Sequence, residues 1–427
     1  MKTLIISHNP ITTYQNMGKT MLALFDQFDS AELCQLYIYP SVPNVKKCNS
    51  YFRMTDKDIF RSYYRLHIDC GEVGVDINCQ SMFTNEQDEK IYNKHKSNNS
   101  FRKIVRDLMW KCSHWYNESL KNWIEKEKPD CIFLAPGDAK FIYDIALKIS
   151  KKHNLPIITY ICDDYYFVKE SRHLLVKLQQ KLLHKKIKKI LTNTSHIITI
   201  CDELCECYSR KFGKASSTIM TGTNYPIAKK PLLCDKPNSI TYMGNVRCNR
   251  YKSIMAIGRE LDELNLQNKT SYSLKVYTSA NDSEIISSFE KIKSISFCGH
   301  VSGDEFDKIF HSSDFLLHTE GFDEDSIDRV KHSVSTKIAD SLGSGIPLIA
   351  YGPESVSSMK YLIRNDCAIV IKKEDELRDM LLRAFENFDM RERVTKKALK
   401  VASENHVSEI NSKKLYEIVE KVVFDKV

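Results

Sequence analysis

The sequence predicts an α/β fold of two doubly wound parallel-sheet domains that face a cleft, with a helical C-terminal tail. Three observations carry that expectation. At 427 residues the chain exceeds what one ordinary hydrophobic core serves. Short apolar runs alternate with helical stretches, as parallel strands joined by crossover helices require. The alternation breaks once, around Pro226, Pro231 and Pro237 with Lys229 and Lys230 between the first two, and then starts again.

The first series of strands is expected at residues 3–7, 33–39, 131–135, 156–161, 196–200 and 218–220, inside an N-terminal domain of residues 1–228. Residues 41–128 are polar and aromatic, without clear alternation until a helical run at 101–126, and read as a mostly helical insertion. Such an insertion can shape an acceptor site or serve as scaffold. The second series is expected at 240–243, 272–277, 295–298, 315–318, 347–350 and 368–371, in a C-terminal domain of residues 236–400. From residue 374 onward the periodicity is helical, broken only around 404–407, and a last helix at 401–427 is expected to pack back toward the N-terminal domain.

Composition narrows the class. Forty-two per cent apolar and 28% charged residues describe a soluble globular protein. The apolar run Leu4-Ile5-Ile6 is far shorter than a secretory signal and reads as a buried first strand. No stretch reaches the ~18 apolar residues of a spanning helix. The 14 cysteines have no repeated spacing and are expected as free thiols in a reducing compartment, hence a cytoplasmic location. Cys201, Cys205 and Cys207 lack a fourth ligand at zinc-site spacing, and no metal is expected.

Charge is uneven. Residues 1–235 hold 35 Lys and Arg against 25 Asp and Glu, and the remainder 28 against 30, so the first half carries +10 and the remainder −2 of the net +8. That half is expected to face something anionic: a membrane surface, a lipid-pyrophosphate acceptor or nucleic acid. The run 169–189, with eight Lys/Arg against Glu170 and leucines at helical spacing, reads as a membrane-surface helix or as a solvated helix face. No nucleic-acid module is present and the aromatics are not interleaved with the basic residues, so no nucleic-acid partner is expected.

In open α/β sheets ligands bind beyond the carboxyl ends of the strands, which directs attention to the turns there. After the first strand of the second series come Gly244, Asn245, Arg247 and Arg250: a glycine for a tight turn, then cations suited to a diphosphate, or a solvated turn before a helix. Ser335, Thr336 and Lys337 open a later helix, where free amides and the helix dipole favour an anion; an ordinary N-cap would use one hydroxyl and leave Lys337 unexplained. Asp340 shares a face with Thr336 and suits ribose hydroxyls. In the loop 318–325, Glu320 suits sugar hydroxyls or is merely solvated, and Asp323 and Asp325 have a D-x-D spacing that elsewhere holds a divalent ion. In the first series, Asp163 and Asp164 beside Tyr165 and Tyr166 suit an acceptor hydroxyl or an oxocarbenium-like transition state, or a helix cap. His8, Gly18 and Lys19, in the loop that joins the first strand to the first helix, suit an acceptor or a phosphate, or are solvated.

The order of these features over residues 239–371 resembles the GT-B glycosyltransferases, with two Rossmann-like domains, and in particular the retaining family 4 that builds bacterial polysaccharides and glycolipids. Gly244, Arg247 and Arg250 resemble that family's basic glycine turn. Residues 340–347 resemble its Glu-Ala-x-x-x-Gly-x-Pro ending. The resemblance implies a nucleoside diphosphate sugar donor in the interdomain cleft, a glycan or lipid-linked acceptor, no cofactor, and a metal-independent reaction in which a phosphate oxygen takes the acceptor's proton. Two departures stand out. The family's glutamate pair would fall on His332 and Asp340, so the first carboxylate is missing and Glu320 is the substitute at hand. The family's histidine after a first-domain strand is replaced by Asp163 and Asp164. A catalytically inactive sugar-binding partner and a nucleotide-sugar 2-epimerase are the rival readings. A dehydrogenase is disfavoured because no G-x-G-x-x-G follows the first strand.

Overall fold

A computed structural model describes residues 1–13, 16–63, 70–78 and 100–424. The chain forms two compact units, Met1–Thr221 with Ser408–Val427, and Gly222–Val407. Each has its own core and its own sheet.

The first sheet has eight strands: β1 (Thr3–Ser7), β2 (Leu33–Tyr37), β3 (Ser50–Arg53), β4 (Gly71–Glu72), β5 (Cys131–Ala135), β6 (Ile157–Ile161), β7 (His196–Thr199) and β8 (Ala215–Thr218). Their order is β4-β3-β2-β1-β5-β6-β7-β8. All neighbours are parallel except β3 with β4. Every residue of β1, β2, β5 and β6 is buried, as expected for central parallel strands covered by helices on both faces. Such strands read as continuous apolar runs and are visible in the sequence.

The edges are not. Within the segment expected to be mostly helical, 41–128, the described residues also hold β3 and β4, which extend the sheet; residues 64–69 and 79–99 of that segment lie outside the described part. Its helical run is two helices, Ser100–Cys112 and Glu118–Glu127, the second capped by Asn117. The strand expected at 218–220 is instead β8, an edge strand of Ala, Ser and Thr. Ile219 and Met220 are buried beyond its end, so apolarity pointed past the strand.

The last helix, Ser408–Phe424, packs in the first unit against helix Asn16–Leu24. Phe28 meets Tyr416 at 5.0 Å between ring centres, and Gln27 N donates to Ser412 Oγ at 2.9 Å. The tail therefore turns into the first unit at Ser408, after helix Phe388–Asn405, which stays with the second.

The second sheet has six parallel strands: β9 (Ser239–Met243), β10 (Ser273–Tyr277), β11 (Ile295–Gly299), β12 (Phe315–Thr319), β13 (Leu348–Tyr351) and β14 (Ile369–Ile371). The order β11-β10-β9-β12-β13-β14 reverses direction between β9 and β12. That reversal opens a crevice beyond the carboxyl ends of those two strands, where the crossover helices diverge to opposite faces. In the first sheet the same reversal falls between β1 and β5.

Candidate functional site

In the second unit the turn after β9 and the loop after β12 meet at the crevice. The turn winds through Cys248 and Asn249, both with left-handed φ near +54° and +53°, into helix Arg250–Asn268. Gly321 makes the meeting possible: a Cβ there would lie 2.3 Å from the Cys248 carbonyl oxygen. Asn249 Nδ2 donates to Asp323 Oδ2 at 2.8 Å, and Ser253 Oγ to the Glu320 carbonyl at 2.7 Å. Asp323 also caps helix Glu324–Val330 through Ser326 N at 3.0 Å. Desolvation opposes its ionisation, but the bonds from Ser326 and Asn249 together outweigh it and hold its carboxyl at about 2. The first aspartate of the D-x-D spacing is thus engaged in holding the loop together.

Glu320, only 2% exposed, is gripped by Arg250 through two parallel bonds, Nε to Oε2 at 2.9 Å and Nη2 to Oε1 at 3.0 Å. Arg250 Nη1 reaches Asn245 Oδ1 at 3.0 Å. Burial pushes the Glu320 carboxyl up, and the guanidinium pulls against it. His318 Nε2 lies 3.5 Å from Glu320 Oε1 and makes no hydrogen bond. Burial, then Arg250 and Lys337, hold this imidazole at about 3, so it is neutral.

Lys337 comes from helix Thr336–Gly343 and turns its ammonium inward to the Met243 carbonyl, 2.8 Å away. Desolvation, then Arg250, lowers its pKa. Ser335 occupies the N-cap position without a side-chain cap bond, leaving its hydroxyl available there. Arg247 is exposed at the rim. Asp340 stands apart from the Arg250 and Lys337 cluster in what it does: Oδ1 accepts from Asn224 N at 2.7 Å and from Thr223 Oγ1 at 3.1 Å, pinning the segment that leads into this unit.

Of the second-unit residues named from sequence, the structure gathers Gly244, Asn245, Arg250, Glu320 and Lys337. Sequence reasoning missed the roles of Gly321, Ser253 and the uncharged His318. Their one available signal is position, at or just beyond the end of β12 or one turn into the helix after β9.

In the first unit, the residues beyond β1, β5 and β6 form a second polar group. His8 Nδ1 bonds Asn9 Oδ1 at 3.0 Å, and burial, then Arg106, holds its imidazole at about 4. Arg106 Nε contacts both oxygens of Asp56 at 3.0 Å, and Trp110 Nε1 donates to the same carboxylate at 2.7 Å. Lys103 pairs with Asp138 at 2.7 Å. Asp163 receives a bond from Tyr165, while desolvation still raises its carboxyl pKa. Asp164 closes the turn instead, its Oδ1 accepting from Tyr166 N at 2.9 Å, Phe167 N at 3.0 Å and Tyr208 Oη at 3.1 Å. Gly18 faces inward, where a Cβ would lie 2.4 Å from Thr12 Oγ1, so it serves the packing of helix on loop. Lys19 is exposed.

Two doubly wound parallel sheets, the second carrying basic residues at its reversal point, define the GT-B fold, and the chain has that fold. Solved structures agree over nearly the whole chain. Sucrose-phosphate synthase from Thermosynechococcus elongatus superposes with a TM-score of 0.60 at 12% identity, covering 99% of this chain and 98% of that one. Anabaena HepE in complex with UDP gives 0.63 at 8% identity, over 99% and 100%. The α,α-trehalose-phosphate synthase (UDP-forming) from Burkholderia vietnamiensis gives 0.63 at 9%, over 100% and 99%. No protein-family model and no curated protein matches the sequence.

Proposed function

We propose that the chain is a glycosyltransferase that takes a sugar from a nucleoside diphosphate sugar and places it on a glycan or lipid-linked acceptor in bacterial cell-surface polysaccharide synthesis. The observation that carries this reading is the convergence of Arg250, on Asn245, and Lys337, on the Met243 carbonyl beside Gly244, upon one turn at the reversal point of the second sheet. HepE, of the same fold, was crystallised with UDP and with UDP-glucose, and a trehalose-phosphate synthase with glucose-6-phosphate.

In this reading the diphosphate lies against Gly244, beside Lys337, Arg250 and Arg247, with the amides of Thr336 and Lys337 at the helix start. Fixed cations meet the charge that develops on the leaving diphosphate, so the reaction runs without a metal. Glu320, buried and held by Arg250 on both oxygens, orients that guanidinium toward the diphosphate, so the sugar hydroxyls expected on it from sequence fall to other groups. The departing phosphate takes the acceptor's proton on the face it leaves, which retains the anomeric configuration. Asp163 and His8 serve the acceptor. The enzyme works in the cytoplasm, peripherally at an anionic membrane surface that the basic first half meets.

A thermal-shift screen of nucleoside diphosphates and their sugars tests the donor, since a ligand of the native state raises its melting temperature. Lys337→Ala should weaken the donor that binds by roughly tenfold or more, the value of a charge-assisted hydrogen bond. Stabilisation by no nucleotide at all overturns the reading. Binding without slow release of nucleoside diphosphate favours an inactive sugar-binding protein, the alternative suggested by His332 standing where the family has glutamate.

A further inference from the structure

Helix Lys140–His153 of the first unit, along its length, and the C-terminal parts of helices Ser100–Cys112 and Leu174–Thr192 line a hollow of about 430 Å³. The proposed transfer reaction does not use it. Its walls are aromatic, Trp110, Trp115 and Phe141, and its rim is cationic, with Lys111, Lys148, Lys151, Lys152, Lys186 and Lys189. One carboxylate lines it, and that one is consumed: Asp144 receives Lys186 Nζ on both oxygens at 2.6 Å. The other five ammonium groups have no carboxylate partner among the described residues.

Lysine near a helix C-terminus complements the helix dipole, which explains one or two such residues on each helix. It does not explain their convergence on an aromatic hollow. Lys148 Nζ sits 4.8 Å from the centre of the Trp115 ring and 5.1 Å from that of Tyr116, and Lys152 Nζ 5.0 Å from Tyr116. Aromatic faces fix the position of these cations without neutralising them. Like charges held together this way favour an anion of high charge density, and a phosphate accepts from several ammonium groups at once.

The helix supplying Lys186 and Lys189 shows what the phosphate is attached to. On the same face, at spacings of three and four, stand Leu175, Leu178 and Leu182, exposed by 53%, 48% and 42%, with Leu174 at 84% beside them. An apolar stripe that runs up to a cationic hollow matches a molecule with an apolar chain and an anionic head. We propose that the hollow binds the phosphate headgroup of an anionic membrane lipid while the leucine stripe enters the acyl boundary. This rests on the anionic-surface part of the proposed function and does not involve the donor site.

The test uses the full chain and phosphatidylcholine vesicles with and without about a third phosphatidylglycerol. The chain should sediment with the anionic vesicles and stay in solution with the neutral ones. Replacing Lys148, Lys151 and Lys152 together by Ala should reduce that partition about a hundredfold, each basic residue near an anionic surface contributing less than one decade. A Leu175→Ser, Leu178→Ser variant should also lose partition, by removing the apolar contact instead of the charge. Both variants should keep the melting temperature and nucleotide response of the parent, so a failure of the donor reading would leave this result untouched. Equal sedimentation of the lysine variant and the parent overturns the proposal. So does stabilisation by soluble pyrophosphate through the same lysines with no vesicle binding, which assigns the hollow to a free anion.

Discussion

The ammonium of Lys337 occupies space next to Gly244 that any side chain there would claim: a Cβ on Gly244 would lie 2.9 Å from Nζ and 3.1 Å from the Tyr242 hydroxyl. The glycine is thus the seat of the lysine as well as the bend of the turn. Two residues far apart in sequence behave as one device.

Gly244→Ala tests that coupling. The end of a lysine side chain moves easily, so the fold should survive, but the ammonium must leave the Met243 carbonyl. Nucleoside diphosphate affinity should fall roughly tenfold or more, comparable to Lys337→Ala, and the double variant should be little worse than either single one. Additive losses, measured by calorimetry on all three variants, would show the two residues to act separately.

The bidentate pair of Arg250 and Glu320 separates stability from binding. Arg250→Ala leaves a buried carboxylate without its counter-charge, a change that costs roughly 3–5 kcal/mol in comparable sites. Removing Glu320 as well should restore a good part of that stability in denaturant unfolding of the pair of variants. Glu320→Gln does something different: it keeps hydrogen-bond capacity, discharges the neighbour of Arg250, and should tighten diphosphate binding severalfold while slowing sugar release. If Glu320→Gln binds diphosphate more weakly, the carboxylate does not compete with the phosphate for Arg250.

His318 sets a pH dependence whose sign follows from its environment. The unfolded imidazole takes a proton below about 6.5, whereas burial, Arg250 and Lys337 keep the folded one neutral down to about 3. The unfolded state therefore binds more protons in that window. Stability is full above it and declines as the pH falls through it. His318→Gln should make the acid limb of the stability curve shallower there, though not flat, because His8 of the first unit, held at about 4, has the same sign. An unaltered acid limb in the variant would mean that the imidazole is already charged.

Asp340 suits a ribose ligand by its place on the helix, yet its oxygens hold Thr223 and Asn224. Asp340→Ala should lower the melting temperature modestly, an effect of about 0.5–1.5 kcal/mol, because Asn224 is exposed and water satisfies the amide that loses its partner. It should change nucleotide affinity far less than Lys337→Ala. A selective loss of nucleoside over inorganic pyrophosphate binding would return the residue to the ribose.

Local chemistry made much of this protein readable from residues alone. The fully buried strands β1, β5, β6 and β12 are continuous apolar runs, because a strand covered on both faces has no polar side to display. The glycine with its cations after β9, and Lys337 at a helix start, were legible because the turn after a strand is where an α/β sheet receives ligands. Strands β3, β4 and β8 were not: β4 and β8 are short edge strands with the composition of a loop, and β3 holds only Tyr51 and Phe52 between polar ends. Nor was the pairing within the site. Arg250 meets Glu320 across 70 residues, and Lys337 meets Met243 across 94, only because the sheet order sets β9 beside β12. Periodicity reports which side of its own element a residue takes; the partner waiting there is decided by which strands lie side by side, and that is a property of the assembled sheet.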